Sequence, residues 1–166
     1  MMTEHKVNRK QILAGAGAAG IAAALAGPTR ALAAGDSRLT GTWLITVKES
    51  GLTTPTPDLS LLSLAAGGVL VSVGARDQQA GNRGSVQIGV WEANGDNFRA
   101  KFLQFALNDS GNPIGIIHVR PMGERDPDSD TLHGTFTGDF RDLQGHVLQT
   151  FSGTLTGTRV SLEGED

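Results

Sequence analysis

Residues 131–160 read TLHGTFTGDFRDLQGHVLQTFSGTLTGTRV, and this stretch decides the fold class. In its first part, Leu132 and Phe136 alternate with Thr135 and Thr137, so apolar and polar side chains point to opposite faces of an extended chain. Turn-forming residues follow at positions 142–145, and a second alternating run then continues to position 160. The pattern predicts two antiparallel strands joined by a short turn.

Similar short runs recur through the chain, separated by residues that favour turns. They predict eight strands, at residues 39–49, 59–65, 69–74, 85–93, 98–107, 114–120, 131–140 and 147–160. Each strand follows closely on the last, and residues 123–130 are predicted as a polar loop. Because closure removes exposed sheet edges, the order favours an all-β fold, an eight-stranded antiparallel up-and-down barrel. An open sandwich of two sheets is the alternative.

The first 33 residues have the composition of an export signal rather than of a folded domain. Basic side chains come first, at Lys6, Arg9 and Lys10. An uncharged alanine- and glycine-rich run follows at residues 12–27, and a small-residue cleavage sequence stands at residues 31–33. This order predicts a helical secretory signal peptide over residues 1–33 and a barrel domain over residues 34–166. The apolar run is shorter than a membrane-spanning helix needs, which disfavours a permanent anchor.

The sequence at residues 8–13, NRKQIL, resembles the twin-arginine export motif, with Lys10 in place of the second arginine. We therefore favour twin-arginine export over general secretion, and both over an uncleaved anchor or a cytoplasmic helical extension. The expected location is periplasmic or secreted in a bacterial cell, with membrane contact during export only.

Composition excludes several functional classes. The chain of 166 residues has no cysteine, which excludes a disulfide scaffold, a thiolate zinc site and a cysteine nucleophile. Its formal charge is −3, and loss of a leader carrying four basic residues and one acidic residue would leave −6. A clearly acidic domain is not expected to bind nucleic acid. No cofactor is predicted.

The tripeptide Gly41-Thr42-Trp43 resembles the G-x-W signature of the calycin barrels, which include the lipocalins. In that superfamily the tryptophan closes one end of the barrel beneath an arginine of the last strand, and Arg159 stands where this arginine is expected. The resemblance implies a structural pair of Trp43 and Arg159, held by a cation–π contact. The chain has no tyrosine, so the second lipocalin signature is absent. A bacterial lipocalin-like barrel is the nearest description, and barrels of the allene-oxide-cyclase and dirigent group are similar in architecture.

The interior of such a barrel is just large enough for one small ligand. We expect a small hydrophobic molecule there, and an exported binding protein is the favoured function. The alternative is an isomerase or cyclase resembling allene oxide cyclase, with His118 as the catalytic acid or base if the face it shares with Ile114 and Ile116 is inward. A filled barrel with a structural role is the third hypothesis. The predicted ligand contacts are Trp43, Phe102, Gln104, Ile116, His118, Phe136, Gln149 and Phe151, with Phe105 and Trp91 as further candidates for the apolar wall.

No metal site is predicted. Three alternating aspartates, Asp126, Asp128 and Asp130, resemble the start of a calcium-binding loop. The central glycine of such a loop is missing, and Thr137 stands where its closing glutamate belongs. A solvated turn is therefore favoured for this segment. The histidines of the barrel domain lie on separate segments without ligand spacing, at His118, His133 and His146.

Overall fold

The computed structural model describes residues 38–50, 58–78 and 83–162, and eight strands account for most of them. The strands are β1 (Gly41–Glu49), β2 (Asp58–Ala65), β3 (Val69–Gly74), β4 (Gln87–Asn94), β5 (Asn97–Leu107), β6 (Pro113–Asp126), β7 (Thr131–Arg141) and β8 (Val147–Arg159). A short 3₁₀ turn, Arg76–Gln78, follows β3. The predicted signal peptide lies outside the described residues.

Each strand pairs antiparallel with the next, and β8 returns to pair with β1, so the sheet closes into a barrel. The closing register places Trp43 opposite Arg159. The predicted eight-stranded antiparallel up-and-down barrel is therefore confirmed, and the open sandwich is wrong.

Alternation along the strands divides the side chains between the interior and the outer surface. On β1, Trp43 and Ile45 are buried while Leu44 between them is exposed. On β7 and β8, glycines occupy interior positions next to phenylalanines. A Cβ at Gly138 would lie 2.2 Å from the ring of Phe151, so only glycine leaves room for the aromatic side chain that crosses it.

Strand β6 is longer than the sequence predicts. Residues 123–126 were expected in a loop, but they pair with β7, and only residues 127–130 form the turn. Ion pairs explain why a charged segment stays in the sheet. Arg125 contacts Asp130 at 2.8 Å and Asp96 at 3.2 Å, which offsets the low strand preference of these residues.

Trp43 and Arg159 close one end of the barrel. The guanidinium carbon of Arg159 lies 4.1 Å from the ring centroid of Trp43, whose indole nitrogen donates to the carbonyl of Leu39 at 3.0 Å. Arg159 also donates to the carbonyl of Thr40 at 2.8 Å and pairs with Asp130 at 2.5 Å. The hydrogen bond from Arg159 lowers the pKa of Asp130. Backbone, aromatic and charged groups thus seal this end together.

Candidate functional site

The barrel interior contains a partly open cavity of about 440 Å³ on the side of the core away from Trp43. This volume falls within the range of small-molecule pockets, about 300–1,000 Å³. The cavity is walled by apolar side chains from seven of the eight strands, among them Leu62, Phe98, Phe102, Val119, Phe136, Phe151 and Leu155. Such a wall favours a ligand with an apolar body.

Polar and charged side chains gather at the end of the cavity opposite Trp43. We call this group the polar end, and it consists of Glu49, Asp58, Ser60, Ser72, Arg76, Asp77, Arg83, Gln87 and Gln104. Its position follows from the register, because β1 runs from Trp43 at the closed end to Glu49 at the polar end. The cavity therefore has one apolar region and one end able to orient a polar group.

Asp77 is the central acid of the polar end, and the 3₁₀ turn after β3 brings its carboxylate to the cavity. Its Oδ2 accepts hydrogen bonds from the backbone N–H of Gly74 and from Nε2 of Gln87, both at 3.2 Å. The side chain of Gln104 also hydrogen-bonds this carboxylate. Partial burial raises the pKa of Asp77, the neighbouring charge of Asp58 adds to the increase, and the hydrogen bonds oppose it.

Two glycines leave room for this arrangement. A Cβ at Gly74 would lie 2.7 Å from Oδ2 of Asp77, and one at Gly84 would lie 2.0 Å from Nε2 of Gln104. Gln104 itself is buried and donates to the carbonyl of Ser85 at 3.0 Å. The carboxylate and the amide are thus held by the backbone around them, which is the kind of support that a binding site needs.

Arg76 balances the other two acids of the polar end. Its guanidinium lies 3.5 Å from Asp58 and 3.9 Å from Glu49. Arg83 also lines the cavity, and neither arginine forms an ion pair with Asp77 within the described ranges.

The structure brings five of the eight predicted contacts to the cavity: Phe102, Gln104, Phe136, Gln149 and Phe151. Trp43 is fully buried beneath Arg159 and does not line the cavity. Phe105, a candidate for the apolar wall, is 51% exposed on the outer face of β5. Trp91 is buried and donates to the carbonyl of Ala65. Both lie outside the cavity lining.

Ile116 and His118, which were candidate ligand contacts on the condition that their face of β6 points inward, do not line the cavity. Gly115, Ile117 and Val119 point inward, as their pairing with residues of the cavity wall shows, so Ile116 and His118 face outward. A register shift opposite Ala106 and Leu107 places Ile114 at the cavity as well. The sequence around His118 is apolar at both alternating sets of positions, so alternation alone does not reveal the inner face.

His118 belongs instead to a charged cluster on the outer surface. Its Nδ1 lies 3.8 Å from Asp139, which contacts Arg120 at 2.8 Å and Arg141 at 2.5 Å. The hydrogen bond from Arg141, with that from Arg120, lowers the pKa of Asp139 to about 2. Burial lowers the pKa of His118, against the attraction of Asp139. This cluster ties β6 to β7 and does not reach the cavity.

The remaining polar groups that the sequence singled out form turn contacts. Asp126 accepts from the backbone of Asp128, and His146 contacts Asp142 at 2.8 Å. Within the part of the chain that the structure describes, no three histidine, aspartate or glutamate side chains come together as metal ligands. No helix in that part is long and apolar enough to cross a membrane.

Sequence reasoning did not single out Asp77 or Gly84. The 3₁₀ turn that carries Asp77 is three residues long and has no periodic pattern. The nearest signal was Gln104, a predicted ligand contact, because its side chain and that of Gln87 both hydrogen-bond this carboxylate. Comparisons of the chain with protein-family models, with curated proteins and with solved structures found no match. The arrangement in the barrel therefore has to be interpreted from its own geometry and chemistry.

Proposed function

We propose that this chain is a small-molecule-binding barrel that holds a ligand with an apolar body in the barrel cavity. The observation that carries the proposal is the cavity itself, with phenylalanines around its middle and supported polar groups at one end. A barrel with a purely structural role would have its interior filled by side chains, whereas about 440 Å³ is left here.

The resemblance to lipocalin-like barrels supports the same proposal. The strand order, the closed end at Trp43 and the stacked Arg159 agree with what that resemblance implies. We also propose export to the periplasm or the medium, with residues 1–33 as the signal peptide. A barrel without cysteine needs no disulfide to persist in an oxidising compartment.

Native mass spectrometry of the protein purified from its own host tests the binding proposal. We expect a non-covalent adduct of small mass, and displacement of that adduct by a neutral apolar fluorescent probe. Absence of both an adduct and probe binding would overturn the proposal.

A cavity-filling variant locates the binding. Ala100 lines the cavity, so Ala100→Leu should weaken probe binding at least about tenfold by occupying ligand space. Thr154 is exposed on the outer face of β8, and Thr154→Leu serves as the matched control with unchanged binding. Equal binding by wild type and both variants would place the probe elsewhere.

The second candidate function is the isomerase or cyclase, and one observation favours keeping it. Asp77 is an acid with a raised pKa that lines the cavity, where a general acid or base has to lie. It replaces His118, which faces outward, as the candidate catalytic group. The test compares compounds extracted from wild type with those from Asp77→Asn. An enzyme would retain a chemically different compound in the variant, whereas a binding protein would retain the same one.

A further inference from the structure

Among the residues that the structure describes, Asp77 is bound by neutral groups only. Its three hydrogen-bond donors, a backbone N–H and the side chains of Gln87 and Gln104, are all neutral. No arginine, lysine or histidine of the described residues forms an ion pair with it, and the nearest arginine in sequence, Arg76, is engaged by Glu49 and Asp58. A partly buried carboxylate without a cation costs stability unless something else supplies the positive charge.

We propose that the cavity takes a molecule with a cationic head, such as a protonated amine, and an apolar body, with Asp77 as the counter-ion. This deepens the proposed function and rests on it. An ammonium group donates hydrogen bonds and accepts none, so it matches a site whose charged centre is an acceptor. The apolar wall of the cavity would cover the rest of the molecule.

The charges around Asp77 favour this head over an anionic one. Asp58 and Glu49 lie at the same end, and Arg76 is held between them. Burial together with the charge of Asp58 raises the pKa of Asp77, and a bound cation would oppose this increase because it favours the ionised carboxylate. A carboxylate ligand would bring a second negative charge to Asp77, which forms no ion pair among the described residues. Such a ligand would need a basic partner at the polar end. Among the described residues there, only Arg83 is a basic side chain that forms no ion pair.

Competition among three ligands of equal chain length tests the proposal. Full-length protein is loaded with a neutral apolar fluorescent probe, which is then displaced by dodecylamine, dodecanol or dodecanoate. We expect the amine to bind at least about tenfold more tightly than the alcohol, since a charge-assisted hydrogen bond is stronger than one between neutral groups. Dodecanoate should be the weakest. This ranking is measured on wild type and does not depend on the folding of any variant.

Asp77→Asn assigns the preference to the carboxylate. The variant should bind the amine and the alcohol with affinities within about threefold of each other, while the control Glu124→Gln, at an exposed position on β6, should keep the wild-type ranking. Equal binding of all three ligands by wild type would overturn the cationic head and leave the binding proposal standing. Tightest binding of dodecanoate, lost in Arg83→Gln, would overturn it in favour of an acidic ligand. Failure of the probe and all three ligands to bind would overturn both proposals.

A separate observation concerns the outer surface of the barrel. Across β1 to β5 many of the outward positions carry exposed aliphatic or aromatic side chains, each 39–60% exposed. We call them the apolar face, and they are Leu44, Leu59, Leu61, Val69, Val71, Val73, Val86, Ile88, Val90, Leu103 and Phe105. Cross-strand pairing makes them contiguous, since Leu61 pairs with Val73, Val71 with Ile88, and Ile88 with Leu103.

The opposite half of the barrel shows that this composition is not a general property of the surface. Apart from Leu148, His133 and Asp139, the outward positions of β7 and β8 carry exposed hydroxyl side chains, at Thr135, Thr137, Thr150, Ser152, Thr154, Thr156 and Thr158. The outer surface of the barrel therefore has one polar half and one apolar half, and an apolar surface of this kind is typical of an interaction site.

We infer that the apolar face is covered by a second copy of this chain, as a two-fold dimer. At about half exposure, its side chains present on the order of 600 Å² of apolar surface, the upper end of what an isolated monomer shows. With its polar rim, including Lys101 and the pair of Glu92 and Arg99, the face approaches the roughly 800 Å² per partner of a stable interface. The central side chains, Val71 and Ile88, are uncharged, so two copies can meet without placing like charges opposite each other.

Sedimentation velocity of the full chain over a concentration series tests the dimer. Wild type should sediment as a dimer, and Val71→Glu with Ile88→Glu should raise the dimer dissociation constant at least about 100-fold, because the introduced carboxylates would be buried without partners. Thr154→Glu with Thr156→Glu, on the polar half, is the control and should remain dimeric. A monomeric wild type at every concentration would overturn the inference, as would equal dissociation of the control. Binding of a monomeric wild type to neutral lipid vesicles would assign the face to a membrane surface instead.

Discussion

At the scale of single residues, glycines decide how tightly the interior packs. Gly138 and Gly153 lie inside strands, where glycine lowers the intrinsic preference for extended structure. Each faces a phenylalanine from the neighbouring strand, and the two rings, Phe136 and Phe151, contact each other at 6.3 Å between centroids. Any other residue would have a higher strand propensity, but the packing of these two rings contributes more to stability than that propensity would.

Gly138→Ala should destabilise the fold by about 1–3 kcal/mol, the usual cost of forcing extra atoms into a packed interior. The added Cβ would meet the ring of Phe151 at 2.2 Å and the backbone carbonyl of His118 at 2.7 Å. Thermal and denaturant unfolding measure the change. Thr137→Val, at the exposed neighbouring position, should stay within about 0.5 kcal/mol of wild type, and an equal loss in both variants would contradict the packing argument.

Asp139 predicts a pH dependence of stability on the outer surface. Because its folded pKa is lowered from 3.8 to about 2, the ionised form stabilises the fold above pH 3.8, and this contribution is lost as the pH falls from 3.8 towards 2. Asp139→Asn should therefore lower the melting temperature at neutral pH, with the difference from wild type shrinking below pH 3.8.

Melting curves at a series of pH values check this. Asp128→Asn, at an exposed position in the turn between β6 and β7, should show no comparable effect at neutral pH. A difference between wild type and Asp139→Asn that persists unchanged to pH 2 would contradict the assignment to the carboxylate charge.

At the scale of elements, alternation predicts that a strand exists better than it predicts which face is inside. The runs at 131–140 and 147–160 alternate apolar with polar residues, and both the strands and their inner faces follow from the pattern. In β4 the apolar set of Val86, Ile88 and Val90 faces outward, while Trp91 faces the interior. In β4, therefore, the side with more aliphatic residues points away from the core.

Strand β6 shows the same difficulty in a stronger form. Its segment IGIIHV is apolar at both alternating sets of positions, so the inner face is decided by pairing with Phe140 and Gly138 and by the register shift opposite Leu107. These are contacts between distant parts of the chain, which the local pattern does not contain. Asp77 was missed for the same reason, since its side-chain partners, Gln87 and Gln104, lie ten residues or more along the chain.

Cysteine labelling tests the orientation of β6, because the chain has no cysteine and an introduced one is the sole thiol. Ile116→Cys should react faster with a bulky maleimide than Ile117→Cys, since position 117 lines the cavity and position 116 faces outward. Rates in denaturant provide the control and should be equal. Faster labelling at position 117 in the folded protein would reverse the assignment.

At the scale of the whole molecule, the barrel has two kinds of asymmetry. Its ends differ, one sealed by Trp43 and Arg159 and the other bearing Asp77, and its outer halves differ in polarity. The sequence predicted the closed barrel and five of the residues that line the cavity. It did not predict the polar end or the apolar face, because both arise only when strands far apart in the chain are placed side by side.

The predicted leader is tested at this scale as well. Fusion of residues 1–35 to a reporter should direct export, and Arg9→Lys should greatly reduce it if the twin-arginine route is used. Lys6→Arg, outside the motif, is the matched control. Undiminished export of the Arg9→Lys fusion would argue against twin-arginine transport.

The seam between β1 and β8 has a consequence for how the chain reaches this structure. Arg159 donates to the carbonyl of Thr40, a contact between residues 119 positions apart, whereas every other strand pairs with its immediate neighbour in sequence. The entropy lost in bringing distant segments together makes such a contact slow to form, so we expect the seven hairpins to assemble before the seam closes. Until β8 pairs with β1, we expect an open sheet with two unpaired edges. The last few residues of the barrel therefore determine when its interior first becomes separated from water.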